Sequence, residues 1–402
     1  MDDADPNEYV FELAQSSDGS VVAAAVSNRS LVLFDAATLR QVAGLCGHEG
    51  TITDVAFDPS NPHVLMSCAE DGTARSWDTR TKGQAALFDH GKGQEVLNLS
   101  LGCGGTMLAT ACGEAAQFWD TRSVARVGCY ADNHTDLVTQ VCFNPFNQVE
   151  LATGAEDGLV CVYDTRQATA ETSLQCVINA DCAVRRVSWF APGGDGLCVL
   201  TGSETLSLWH KHTAQCLNHE TTEVRAALLA GPSPGPSHSP SASPSPGPGA
   251  FAASGGGVTG GGLHVDYLIS AHFEASTGRL LLVAGDFAGN AVLCEVTDRA
   301  TTPLATFHHG HSATIRSCLW QESSGGGAVA NLLTGGEDSR VCSWNLSQEP
   351  RSQEGGGGSR EGGGSGGGSR KKGSGSGAER GGCSSRSNGS RMAEYGGIPR
   401  PY

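Results

Sequence analysis

Residues 47–80 read GHEGTITDVAFDPSNPHVLMSCAEDGTARSWDTR, and the rest of the chain repeats this unit. A Gly-His pair opens it, and an alternating segment (Ile52, Val55, Phe57) runs to Asp58-Pro59. A second apolar run follows at Val64-Leu65-Met66. After an Asp71-Gly72 turn, a third closes on Trp77-Asp78. Three short strands separated by turn residues cannot cover both of their faces, so such a unit has to recur.

Seven copies can be laid out. The first runs through Val10, Phe11, Asn28 and Phe34-Asp35, and the second is the unit quoted. The third ends at Phe118-Trp119-Asp120, with a shorter turn that lacks the Asp. The fourth is clean, from His134 through Val141, Leu151 and Asp157-Gly158 to Tyr163-Asp164. The fifth closes on Leu208-Trp209. The sixth is interrupted by a Pro/Ser/Gly tract over 231–262 and resumes at Val265, with Cys294 at the aromatic position. The seventh is clean again, from Gly310-His311 to Trp344-Asn345. The closing aromatics lie 42, 44 and 46 residues apart at Trp77, Trp119, Tyr163 and Trp209. Four-stranded blades have this period, and helical or leucine-rich repeats do not.

The expected architecture is therefore all-β: a seven-bladed propeller over 9–348, behind an acidic segment at 1–8. Closing the ring protects most strand edges. Residues 349–402 are rich in Gly, Ser and Arg and bury too little apolar surface to order themselves, so they are expected to be disordered. The seventh copy lacks an evident fourth strand. It is expected either to close weakly or to hold three strands.

Composition narrows the function classes. Of the 402 residues, 26 are Lys or Arg and 42 are Asp or Glu, a net charge of −16. Beyond residue 350, nine Lys/Arg stand against four Asp/Glu, a tail of +5, which leaves −21 on residues 1–350. So acidic a body does not suit general binding of a phosphate backbone, and a basic partner would meet it more readily. The 15 cysteines fall singly inside apolar runs with no CxxC pair, which points to a reducing cytosolic or nuclear compartment. The opening MDDADPNEYV is acidic, so no secretory signal is expected. No run reaches transmembrane length either.

Four residue types recur at fixed offsets: His48, Ser67, Asp71 and Trp77; His134, Thr153, Asp157 and Tyr163; His311, Thr334, Asp338 and Trp344. Ser or Thr with His and Asp suggests a hydrolase triad, but no enzyme needs three equivalent nucleophiles. The expected role is structural, a buried chain in which Trp N–H donates to the hydroxyl, the hydroxyl to His and His to Asp. Tyr163 has no indole N–H, so the fourth copy should hold a weaker version. Three successive units end in Asp78-Thr79-Arg80, Asp120-Thr121-Arg122 and Asp164-Thr165-Arg166, which would place Arg80, Arg122 and Arg166 on one rim. Each Arg either offers a docking group or pairs with the carboxylate two residues before it. In the latter case it contributes little. His308-His309-Gly310-His311 lacks further ligands at zinc spacing, so no metal or other cofactor is expected.

Gly-His, Asp-Gly and Trp-Asp recurring in register resemble the WD-repeat signature. HTDLVTQVCFNPFNQVELATGAEDGLVCVYD, VDYLISAHFEASTGRLLLVAGD and GHSATIRSCLWQ together are similar to the WD repeat-containing protein 89 family. That resemblance implies a seven-bladed, non-catalytic interaction scaffold whose protein partner it does not specify. Next to that family, the Pro/Ser/Gly tract looks like an insertion. The WDxR pattern is similar to the motif by which substrate receptors of cullin-based ubiquitin ligases dock their adaptor, which makes such an adaptor one expected partner. Weak RNA contact by the tail through Arg370-Lys371-Lys372, in a ribosome-biogenesis role, is another. No membrane and no small-molecule substrate is expected.

Overall fold

The computed structural model describes residues 8–167, 169–218, 264–322, 328–346 and 391–394. Within these, the strands form seven four-stranded antiparallel sheets. Blades one to six occupy 10–46, 52–89, 96–130, 138–179, 184–216 and 267–307. Blade seven takes its first three strands from Ile315–Glu322, Val329–Gly336 and Arg340–Asn345. In every blade the strands pair in chain order. The innermost strands touch one another from blade one round to blade seven and back to one.

The sequence pattern explains why both faces of a blade are apolar. In Ser30–Asp35, Leu31 and Leu33 pack towards Ile52 and Trp77 of blade two, while Val32 and Phe34 pack towards Leu333 and Val341 of blade seven. Each blade is thus sandwiched between two others, and a strand with both faces covered reads as an unbroken apolar run. At the seam between blades seven and one, Gly335 lies so close to Val10 that an added Cβ would sit 2.5 Å from Val10 Cγ1. Gly154 stands in the same relation to Val184 of blade five. Ser339 Oγ donates to the Glu8 carbonyl across the closing seam.

The fourth strand of blade seven is Arg391–Glu394, paired antiparallel with Arg340–Asn345 in the register Arg340↔Glu394 to Ser343↔Arg391. The question of how the last blade is completed is answered by the tail. Backbone hydrogen bonding asks for no particular side chain, and Arg-Met-Ala-Glu supplies the strand. The rest of the tail, with Arg370-Lys371-Lys372, lies outside the described residues, as do 1–7 and the 231–262 tract. That tract sits between the outer strand of blade five and the inner strand of blade six, so it interrupts no sheet.

All fourteen cysteines among the described residues are free thiols. No described helix is long and apolar enough to cross a membrane.

Candidate functional site

Antiparallel order places the loop entering each inner strand and the turn between second and third strands at the same end of the blade. His48, His134 and His311 lie in the former, Asp71, Asp157 and Asp338 in the latter. The disc accordingly has a histidine face, and the turns after the third strands lie on the opposite face.

In blade two His48 donates from Nδ1 to Asp71 Oδ2 at 2.9 Å, and Nε2 meets Ser67 Oγ at 2.8 Å. Trp77 Nε1 donates to the same Ser67 Oγ at 2.8 Å. Asp71 Oδ2 also accepts the Glu49 N–H at 2.8 Å, which ties the entering loop to the turn. Burial pushes the Asp71 carboxyl up, but the bonds from Thr73, Glu49 and His48 outweigh it and hold it at about 2. Blade seven repeats the arrangement, with His311 to Asp338 at 2.9 Å, His311 to Thr334 at 2.8 Å and Trp344 to Thr334 at 2.8 Å. In blade four His134 reaches Thr153 at 2.6 Å, but Asp157 only at 3.2 and 3.4 Å. Tyr163 fills the aromatic position there with a buried phenol.

The structure adds a histidine that the repeat pattern concealed. His90 Nε2 lies 2.8 Å from Thr110 Oγ1, and Trp119 Nε1 reaches both. It stands 29 residues before Trp119, the same offset as His48 to Trp77. Its Gly follows rather than precedes it, and the shortened turn at Gly113 carries no Asp. No carboxylate therefore bonds Nδ1, and burial lowers the His90 pKa to about 4. In all four groups the hydroxyl is buried and already bonded, so none is an exposed nucleophile.

A second repeated device, also unanticipated, lines the axis. Among the described residues, each inner strand carries a β-bulge at the same place, leaving Phe11, Thr53, Leu97, Thr139, Arg185, Ile269 and Arg316 unpaired. The next residue is polar in every blade: Glu12, Asp54, Asn98, Gln140, Arg186, Ser270 and Ser317. Bulges re-aim side chains, and here several of these residues accept from the following blade. Asp54 Oδ2 takes the Leu99 N–H at 3.0 Å, Asn98 Oδ1 takes that of Val141 at 2.8 Å, and Gln140 takes that of Val187. In blades three, four and five an inner-edge N–H, which would otherwise face the axis unpaired, is thus satisfied by the preceding blade. Arg186 Nη2 lies 2.6 Å from Glu12 Oε2. Blades five and one are not neighbours, so this ion pair crosses the channel. Asp54 shares the same space. Burial, with the Glu12 charge adding to it, moves its pKa up to about 7.

On the opposite face, Arg80 makes a two-point contact with Asp78 at 2.9 and 3.1 Å, and Arg166 does so with Asp164 at 2.7 and 2.9 Å. Both remain largely exposed, at 64% and 68% of the side chain. Arg122 gives its backbone N–H to Asp120, and its guanidinium forms no ion pair among the described residues. Near this face a buried pair joins blades four and five, Lys211 Nζ to Glu150 Oε2 at 2.7 Å, with Asn144 donating to the same oxygen.

The histidine face carries an open depression of about 550 Å³ where blades one, two and three meet, lined by Arg29, Glu49, Glu70, Lys92 and Glu95. Phe287, in the turn of blade six on this face, is the most exposed large apolar side chain described, at 67%; Leu137 and Tyr9 are exposed there too. Among the described residues no group of three or more His, Cys, Asp or Glu is placed to hold a metal. His308 instead meets Asn290 at 3.0 Å.

The WD domain, G-beta repeat family matches residues 39–78, 127–164 and 301–345. These segments hold the His, hydroxyl, Asp and closing aromatic of blades two, four and seven. The chain is 30% identical over 353 residues to WD repeat-containing protein GTS1 of Arabidopsis thaliana, covering 85% of this chain and 82% of that protein. It is 25% identical over 336 residues to the WD repeat-containing protein 89 homolog of Dictyostelium discoideum, with 84% and 82% covered. A guanine nucleotide-binding protein subunit beta of Arabidopsis thaliana matches 40% of the chain at 27% identity, covering 44% of that protein. With its repeats, its ring of seven blades and a relative at this identity over most of both lengths, the chain belongs to the WD-repeat family.

Proposed function

We propose that this chain is a non-catalytic scaffold of the WD repeat-containing protein 89 kind, and that it holds a basic protein segment on its histidine face. One observation carries the reading. The recurring His, Ser/Thr and Asp side chains are consumed internally, while the same face leaves the Glu49, Glu70 and Glu95 carboxylates and the Phe287 ring in solvent. A rigid ring with loops held at both ends offers fixed positions for such groups. The −21 charge of residues 1–350 supports a cationic partner.

Adaptor docking through the other rim has Arg122 in its favour. Arg80 and Arg166 would first have to leave their own carboxylates. Affinity capture separates the readings. A variant with Glu49→Lys, Glu70→Lys, Glu95→Lys and Phe287→Ala should lose partners that the Arg80→Ala, Arg122→Ala, Arg166→Ala variant keeps. The reverse pattern, with a cullin adaptor among the proteins lost, would overturn the proposal. Association abolished by nuclease and by removing 351–402 would overturn it in favour of RNA contact by the tail.

A further inference from the structure

Two carboxylates and one guanidinium meet in the axial channel, and they are unequally served. Glu12 of blade one takes Arg186 Nη2 of blade five on Oε2 at 2.6 Å, so its charge has a counter-charge in contact. Asp54 of blade two forms no ion pair among the described residues. Its bonds all come from neutral N–H groups. Oδ1 accepts from Val55 N at 2.8 Å, and Oδ2 accepts from Leu99 N at 3.0 Å and from Asn98 Nδ2 at 2.6 Å. The other titratable groups near it are the thiols of Cys68, opposite it on the next strand of blade two, and Cys142 of blade four. Burial pushes both thiols up, Cys142 to about 12, so neither is charged near neutral pH. Fully ionised, the set of Glu12, Arg186 and Asp54 carries one net negative charge, and the two like charges disfavour each other.

The next two blades show that this position does not need a charge. Asn98 and Gln140 occupy it in blades three and four and accept the N–H of the following blade as neutral amides. A protonated Asp54 can do the same. Oδ2 keeps Leu99 and Asn98, while Oδ1, with one bond from Val55 and a second lone pair to spare, takes the proton. Protonation thus sacrifices no hydrogen bond and removes a negative charge from beside Glu12. Burial and the Glu12 charge favour it, the Leu99 and Val55 N–H groups and Arg186 oppose it, and the balance lifts the carboxyl from its ordinary 3.8 to about 7.

We propose that Glu12, Arg186 and Asp54 form a proton switch on the propeller axis, in which Asp54 takes up one proton as the surroundings acidify. In the protonated state Arg186 answers to Glu12 alone, and blades one, two and five meet at the axis without net charge. In the ionised state two carboxylates compete for one guanidinium, and the inner edge of the ring is loosened. Between pH 3.8 and about 7 the native chain holds a proton that the unfolded chain has released. The stability contributed by Asp54 is therefore whole below pH 4 and is lost as pH rises to 7.

The test is urea unfolding of the full chain from pH 5 to 9 beside Asp54→Asn, which keeps an acceptor oxygen and cannot ionise. His90 is common to both proteins and drops out of the comparison. The unfolding constant of the wild type relative to the variant should rise by up to about tenfold per pH unit between pH 5 and 7 and level off above pH 8. Glu12→Gln and Arg186→Gln, each compared with its own combination with Asp54→Asn, should move the levelling-off in opposite directions, to lower and to higher pH respectively. A ratio that stays constant from pH 5 to 9, or a levelling-off that neither charge substitution moves, overturns the proposal. A second measurement needs no variant. The infrared difference spectrum of the wild-type chain at pH 6 minus pH 9 should contain the C=O stretch of a protonated carboxyl, and a spectrum without that band refutes the switch.

Discussion

Lys211 Nζ lies 2.7 Å from Glu150 Oε2, with both side chains more than nine-tenths withdrawn from solvent. The pair joins the start of the second strand of blade four to the turn after the third strand of blade five, and Asn144 and Asp195 complete its shell. Removing one partner of a buried pair strands the other charge, which typically costs about 3–5 kcal/mol, whereas replacing both with apolar groups is often close to neutral. Lys211→Met should therefore destabilise the chain by about 3 kcal/mol or more in urea unfolding. Adding Glu150→Met should restore most of that. A double variant no more stable than the single would show that the loss came from packing rather than from the stranded carboxylate.

His90 provides a pH signature. Its folded pKa of about 4 lies below its ordinary value of 6.5, because burial disfavours the imidazolium. The native chain thus binds fewer protons than the unfolded chain between these values. The group's contribution is whole above pH 6.5 and is lost as pH falls towards 4, at up to about 1.4 kcal/mol per pH unit. His90→Gln should flatten the stability profile across that window without changing its course above pH 7. Parallel profiles for the two proteins from pH 6.5 to 4 would contradict the assignment.

The seam glycines predict a contrast. Gly335→Val would drive side-chain atoms into Val10, where an added Cβ already lies at 2.5 Å, so a loss of about 2–3 kcal/mol or more is expected. Gly202→Ala meets nothing nearer than the Ala183 carbonyl oxygen at 3.7 Å and should be within about 0.5 kcal/mol of wild type. Thermal melts of the two variants check both halves. A tolerated Gly335→Val would mean that blades seven and one are not packed together as described.

Trp344 joins a large packed ring to a buried donor. Its ring lies tilted at 38° to that of Phe307, with centroids 5.0 Å apart, and its Nε1 donates to the Thr334 hydroxyl. Trp344→Ala should cost about 3–5 kcal/mol through the lost packing and the loss of the indole donor to Thr334, whose hydroxyl keeps only His311. Deleting 347–402 removes one short outer strand and should cost less than half as much. Equal midpoints in denaturant would refute this ordering.

Much of the fold was legible because burial on both faces and turn chemistry repeat in register. Leu31 to Phe34, Asp71-Gly72 and Trp77-Asp78 identify their strands and turns without help from distant parts of the chain. His90 escaped because its blade dispenses with the Asp and reverses the Gly-His order, leaving only an offset as a clue. The channel ring escaped for a different reason. Period-two alternation shows that Asp54 or Arg186 points away from the apolar face, but not that seven such residues converge on one axis. Arg391–Glu394 carries no strand pattern at all, since it pairs through its backbone. The Arg80, Arg122 and Arg166 row was visible as a motif. Whether each guanidinium was already engaged depended on rotamers that spacing does not determine.

The place of the 219–263 segment has a practical consequence. The residues that flank it, Asn218 and His264, follow and precede complete sheets on the histidine face, where residues 8 and 394 also lie, in adjacent blades. A circular permutant that begins at 264, links 402 to 8 and ends at 218 would keep every sheet intact while moving the break in the chain by two of the seven blades. It should fold, and the old termini would become available as an internal site for grafting a reporter.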